Sequence, residues 1–160
     1  AEKKMIQQNY QNVKNNDFYV VQAPNQKVNI QVIAGNLEGK PGKIATQTPV
    51  NAYMIDMEVD GEHLISVDNT HSALIYLIKG DVMVNDLENL QIDHNQLIQF
   101  ENDGEAISLK AKANSKLLFL SGKPIKEPIS SWGPYVMNTQ TEIMEALRDY
   151  QMGKMGFLPA

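Results

Sequence analysis

From Val28 to Ser121 the chain is a succession of short apolar-rich segments, each closed by a turn signal. Val28-Asn29-Ile30-Gln31-Val32-Ile33 alternates apolar and polar residues, as a strand with one buried face must. Asn51–Val59, Leu64–Val67, Ala73–Lys79, Val82–Asn85, Gln96–Glu101, Ala106–Ala111 and Lys116–Ser121 continue the pattern. Gly39-Lys40-Pro41-Gly42, Asp60-Gly61, Lys79-Gly80-Asp81, Asn85-Asp86, Asn102-Asp103-Gly104 and Ala113-Asn114 punctuate it. Strands this short and this regularly spaced predict an all-β antiparallel sandwich or barrel. One segment breaks the rule. Thr139 with Glu142 three residues on forms a capping box, and Ile143, Ala146, Leu147 and Tyr150 follow at helical spacing. Gly153 suits the left-handed residue that closes a helix. A helix is therefore predicted at about 140–152.

The chain has 160 residues, enough for one domain with tails. A net charge of -5 argues against direct nucleic-acid binding, which needs a basic stripe. With no cysteine, disulfides, thiolate metal sites and cysteine nucleophiles are excluded. No apolar run approaches the roughly 20 residues that span a membrane. The first residues lack the apolar core of a signal peptide, which makes the cytoplasm the expected location. Ala1 fits either a native start after loss of the initiator Met or a cut end.

Little in the sequence carries catalytic chemistry. There is no Gly-x-Ser-x-Gly elbow and no Gly-rich phosphate loop ahead of a helix. Of the three histidines, His63 and His94 sit beside polar turns and are expected at the surface. His71 precedes the Ala73–Lys79 segment and is expected at a barrel mouth. Glu142, Glu145 and Asp149 are expected on a solvated helix face. Barrel mouths are common ligand sites, so Tyr53, His71 and Tyr76 are the candidate pocket residues for a small apolar ligand.

The tail is more specific. Gly122 to Gly156 reads GKPIKEPISSWGPYVMNTQTEIMEALRDYQMGKMG. It resembles the C-terminal signature of the pirin family, "GxPxxEPxxxxGPFVMNTxxEIxxAxxDYxxGxxG". Lys4-Met5-Ile6-Gln7-Gln8-Asn9-Tyr10-Gln11 resembles the pirin joint "KMxxPxYQ", with Gln8 where proline is usual. Val28–Gly35, VNIQVIAG, resembles the strand "VxVxVIAG" that opens the second pirin domain.

The resemblance implies a cupin-type antiparallel jelly roll or β-barrel with a C-terminal α-helix. It divides the chain into a joint-like segment (1–16), a cupin barrel (17–122) and a pirin-type tail (123–160). It also implies a place for a metal, because cupins hold iron or manganese through a His-x-His, a Glu and a later His. Matched to that motif, Gly61 stands near the first Gly and Gly80 at the second. The His-x-His position falls near Val67-Asp68-Asn69, the Glu position on Ala73, and the last His on Ala106 or Ile107. No metal ligand is present at these positions.

Pirins are bicupins, so the resemblance places an iron, held by three histidines and a glutamate, in an N-terminal domain that this sequence does not include. Bacterial members are associated with quercetin dioxygenation and mammalian ones with transcription. No cofactor is expected in this domain and no catalysis from this chain alone. Its expected partner is an N-terminal cupin domain or, if it stands alone, a second copy of itself. Trp132, Pro134, Tyr135 and Met137 are the candidate interface residues, since aromatics and Met favour such surfaces. Two alternatives stay open: part of an iron-dependent quercetin 2,3-dioxygenase, or a small-molecule-binding barrel.

Overall fold

The computed structural model describes residues 3–7 and 9–156. Ala1 and Gln8, both discussed above, lie outside the described residues. The chain forms two compact units: Asn9–Pro124, and a smaller one made from Ala1–Gln8 with Ile125–Ala160.

The larger unit runs through twelve strands. They are β1 (Tyr19–Gln22), β2 (Val28–Ala34), β3 (Asn36–Leu37), β4 (Lys40–Pro41), β5 (Val50–Met57) and β6 (Glu62–Ser66), followed by β7 (Ser72–Lys79), β8 (Asp81–Val84), β9 (Glu88–Gln91), β10 (Leu97–Phe100), β11 (Ala106–Ala111) and β12 (Ser115–Gly122). Six make one sheet in the order β1-β2-β5-β12-β7-β10, four make a second in the order β6-β11-β8-β9, and β3 and β4 pair as a small ribbon. All these pairings are antiparallel. The inward residues of both sheets share one core, with Ile30, Ile55, Ile75, Leu77 and Leu117 from the larger sheet and Ile65, Leu90 and Leu109 from the smaller fully buried. Phe119 stacks on Tyr53 at 5.3 Å between ring centres, a contact worth about 0.5–1.5 kcal/mol beyond its buried area.

The strand β9 departs from the sequence reading. Glu88-Asn89-Leu90-Gln91 has no strong apolar alternation. Pairing with β8 across a tight turn makes it a strand. Asn85 and Asp86 both take positive φ (52° and 55°), and the Leu87 amide donates to the Val84 carbonyl at 3.1 Å. That is the type I′ geometry that matches strand twist.

A second departure concerns the faces. Half-buried strands should turn polar residues outward. On the larger sheet Asn29, Gln31, Asp56 and Lys116 do so, but the middle of the face does not: Leu118 of β12 lies between Met54 of β5 and Tyr76 of β7, and Tyr76 in turn faces Leu97 of β10. One row on, Leu120 lies between Ala52 and Leu74.

The smaller unit holds a hairpin, β13 (Ser130–Trp132) and β14 (Tyr135–Met137), and one helix, α1 (Gln140–Gln151). The predicted capping box is present: Thr139 Oγ1 accepts from the Glu142 amide at 3.2 Å, and Glu142 accepts from the Thr139 amide at 2.9 Å. The Gly153 amide donates to Tyr150 and the Lys154 amide to Asp149, with Gly153 at φ 72°, the Schellman pattern. Ile143 and Ala146 are buried as expected, but Tyr150 is 63% exposed and leaves the apolar stripe. Nor is Glu142 merely a solvated helix charge, since Lys4 Nζ reaches its carboxylate at 2.9 Å and Asn138 Oδ1 at 2.7 Å. Lys4 and the Asn138 and Thr139 amides together hold the Glu142 carboxyl down at about 2.

Candidate functional site

Of the positions that the motif comparison gave to metal ligands, Val67, Ala73, Ala106 and Ile107 line one hollow of about 110 Å³ in the larger unit, whereas Asp68 and Asn69 are not in its lining. The register explains the convergence: Ala106 pairs with Ser66 next to Val67, and Ala73 pairs with Phe100. His71 lines the same wall, with Phe100 to Gly104 and Asn85 completing it.

His71 is buried, and its Nδ1 lies 3.5 Å from Ser121 Oγ, which also accepts from the Asn51 amide group at 3.1 Å. A turn positions it: the His71 amide donates to the Asp68 carbonyl at 2.9 Å, and Asp68 Oδ1 accepts from the Thr70 amide and hydroxyl. Those Thr70 hydrogen bonds hold the Asp68 carboxyl below its ordinary range, so Asp68 is committed to the turn rather than offered to a ligand.

The three candidate pocket residues are not brought together. Only His71 lines the hollow. Tyr53 is a core residue whose hydroxyl donates to the Asn36 carbonyl at 2.7 Å, and burial pushes its phenol up to about 12. Tyr76 stands on the outward face of β7 and is 41% exposed. Position parity separates it from the interior, because Ile75 and Leu77 on either side are fully buried.

The other histidines diverge. His94 is exposed, as expected. His63 is not a surface residue: it is half-buried, its Nε2 is buried without a partner, and burial pushes its pKa down. It stands in β6 opposite Leu109, away from the lining of the hollow.

Sequence reading missed Asn85, Glu101, Asn102 and Asp103 as lining residues. Asn102 and Asp103 were read as a turn, Asn85 as the junction of a strand and a turn, and Glu101 as a strand end; the available signal was that these turns flank the strands matched to the cupin motif. Among the candidate interface residues, Trp132 and Pro134 are exposed, and Tyr135 and Met137 are half-buried in the hairpin.

Comparison with known proteins bears directly on this arrangement. The family profile of the pirin C-terminal cupin domain matches residues 52–156. The chain belongs to the pirin family. A pirin-like protein of Solanum lycopersicum is 30% identical over 96% of this chain and 53% of its own length. Human pirin is 28% identical over 98% of the chain and 54% of its own. The crystal structure of a quercetin 2,3-dioxygenase from Acinetobacter baumannii superposes with a TM-score of 0.88 at 32% identity, covering 97% of this chain and 53% of that one. The chain thus spans about half the length of the curated pirins it matches, and corresponds to their C-terminal cupin domain.

A pirin is expected to hold iron, and the hollow does not fit that ion. Transition metals of this kind need several imidazole or carboxylate ligands converging with open positions. Here the corresponding positions that line the hollow carry Val67, Ala73, Ala106 and Ile107, whose side chains offer no lone pair, while Asp68 is bound to Thr70 and lies outside the lining with Asn69. Among the described residues no group of three or more His, Cys, Asp or Glu is placed to hold a metal. No helix among them is long and apolar enough to cross a membrane.

Proposed function

We propose that this domain is the metal-free half of a bicupin: it pairs with a metal-bearing cupin half and supports it, without chemistry of its own. One observation carries the reading. The barrel is intact and its ligand positions converge, yet the side chains that converge are aliphatic. The fold has kept the scaffold of a metal centre and filled its ligand positions with packing residues. Dioxygenation, the activity named for the Acinetobacter relative, then belongs to the other half.

The test is metal loading followed by reconstitution. Incubated with ferrous iron and desalted, this chain should retain far less than one equivalent. Added to a separately produced N-terminal pirin cupin, it should raise that domain's melting temperature, as any ligand selective for the folded state does. Retention of a full equivalent of iron by this chain alone would sink the reading.

A second reading has its own support in the hollow beside His71, which combines an apolar floor with a few polar groups in the manner of a ligand pocket. At about 110 Å³ it has room for a small molecule, since one water needs only roughly 10–15 Å³ of such space. A melting-temperature screen against small polar and apolar compounds, repeated on His71→Ala, tests it. A stabilising hit that persists unchanged in the variant would place the ligand elsewhere.

A further inference from the structure

We propose that the smaller unit is a clasp, whose hairpin and helix complete their packing only between surfaces of the metal-bearing cupin half. This rests on the reading above, that the domain pairs with such a half, and names the part of the chain through which it does so.

Burial separates the two units. Of the buried apolar residues among those described, only Ile143 and Ala146 belong to the smaller unit, and all the others lie in the larger one. The smaller unit nevertheless leaves Trp132, Val136, Met144, Tyr150, Met152 and Met155 each more than half exposed. Two buried side chains do not offset the ordering of about 45 residues, since domains below about 70–80 residues are marginal even with a full core. The larger unit has a full core and no such deficit.

The exposed side chains occupy both broad sides of the smaller unit. The helix α1 packs on the hairpin. Tyr135 and Met137 are half-buried while Val136 between them is exposed, so strand alternation sets Val136 on the open side of the hairpin. On α1 the buried Ile143 and Ala146 mark the packed side, and Met144, Arg148 and Met152, four residues apart, form a row on the other. A segment with apolar residues on two sides fits between surfaces rather than on one flat face. Met, Arg and Trp are also types favoured where a partner covers them.

The relatives identify the occupant. Nearly half of their length lies outside this chain. The family profile runs on to residue 156, so it takes in both the hairpin and the helix. The Acinetobacter structure superposes over 97% of this chain, and so over the smaller unit, inside a molecule about twice as long. Charge agrees with docking through this unit. Its five basic and five acidic residues cancel, which leaves the net -5 of the chain on the larger unit. A neutral unit approaches a partner of either sign without net repulsion.

Hydrogen exchange read by mass spectrometry tests the proposal in two steps. In this chain alone, the amides of α1 and β14 should exchange at least about a hundredfold faster than those of β5 and β12, as in any region with few buried contacts. With the N-terminal cupin half of a pirin added to saturation, residues 130–152 should slow at least about tenfold, and β5 and β12 should not change. Trp132→Ser should weaken the binding at least about tenfold, because interface affinity concentrates on such anchors. Met144→Lys should do the same, and Leu97→Lys, on the outward face of the larger sheet, should leave it unchanged. Trp132 and Met144 are 63% and 65% exposed, so their replacement spares the packing of this chain. An α1 as protected as β12 in the chain alone overturns the proposal without any partner. Binding that shields Tyr76 and Leu97 but not residues 130–152 also overturns it, and leaves the pairing reading standing. No binding by a half that is folded and holds its iron overturns both.

Discussion

Replacing Gly80 with alanine should be among the most damaging small changes in this chain. Gly80 links β7 to β8 at φ 101°, where a side chain costs about 1–3 kcal/mol in backbone strain. Space is the second cost. A Cβ there would fall 2.6 Å from the Ser115 Cα and 2.7 Å from the Asn114 carbonyl oxygen. Both are backbone atoms, so no rotamer change relieves the contact, and the start of β12 must shift. Overpacking of this kind costs about 1–3 kcal/mol. The shift also loosens Ser115 Oγ, which accepts from the Asp81 amide at 3.1 Å and donates to the Ala113 carbonyl at 2.7 Å, a loss of about 1 kcal/mol. Together these give about 3–7 kcal/mol, or a fall in melting temperature of roughly 6–28 °C for a chain of this size. Urea and thermal unfolding followed by far-UV circular dichroism measure it. Fluorescence is the poorer probe, since Trp132 lies in the smaller unit. Gly104→Ala is the control: no heavy atom lies within 4 Å of its Cβ position, so its change should stay within about 0.5 kcal/mol. A loss below about 1 kcal/mol for Gly80→Ala would refute the steric reasoning.

Three other outcomes are expected. Phe119→Ala removes a fully buried ring and its stack on Tyr53, and should cost about 3–5 kcal/mol in urea unfolding. Tyr53 has its phenol raised to about 12 by burial, so the stability tied to its neutral form is whole below about pH 10 and is lost as pH rises toward 12; absorbance titration of wild type against Tyr53→Phe should show one phenol ionising late, and a normal titration for all tyrosines would contradict this. Glu142 is held at about 2, first by Lys4 and then by the Asn138 and Thr139 amides, so its contribution is present above the ordinary carboxyl range near 4.5 and disappears as pH falls toward 2; Lys4→Ala should move that acid loosening, read through Trp132 fluorescence, to higher pH.

The parts of the fold legible in sequence were those set by local chemistry. The capping box of Thr139 and Glu142 and the Gly153 stop follow from hydrogen-bonding groups a few residues apart, and both are present. So are the strands with clear alternation, such as Val28–Ala34. What escaped depended on partners remote in sequence. The β9 strand owes its existence to a turn and to β8. Tyr76 was grouped with Tyr53 as a candidate for a barrel-mouth pocket, but strand parity sends one inward and the other out. The same alternation rule hid the apolar outer face, since Leu-Leu-Phe-Leu in β12 satisfies a buried stripe whichever way it is read. His63 looked like a turn residue, and the pairing of β6 with β11 half-buried it. The hollow was the reverse case: the resemblance to the cupin motif marked Val67, Ala73 and Ala106, and the register brought them together.

The ion pair between Lys4 and Glu142 joins residues 138 apart in sequence, and this orders events in time. During synthesis the larger unit can close its sheets once residues up to about 124 have emerged, whereas the smaller one needs Lys4 together with the segment from Asn138 to Glu142. At the roughly 5–20 residues per second of translation, Lys4 waits about 7–28 s for Glu142. Throughout that interval Lys4 lacks its Asn138 and Glu142 acceptors, and a chain cut shortly before Asn138 would complete its barrel without that tether.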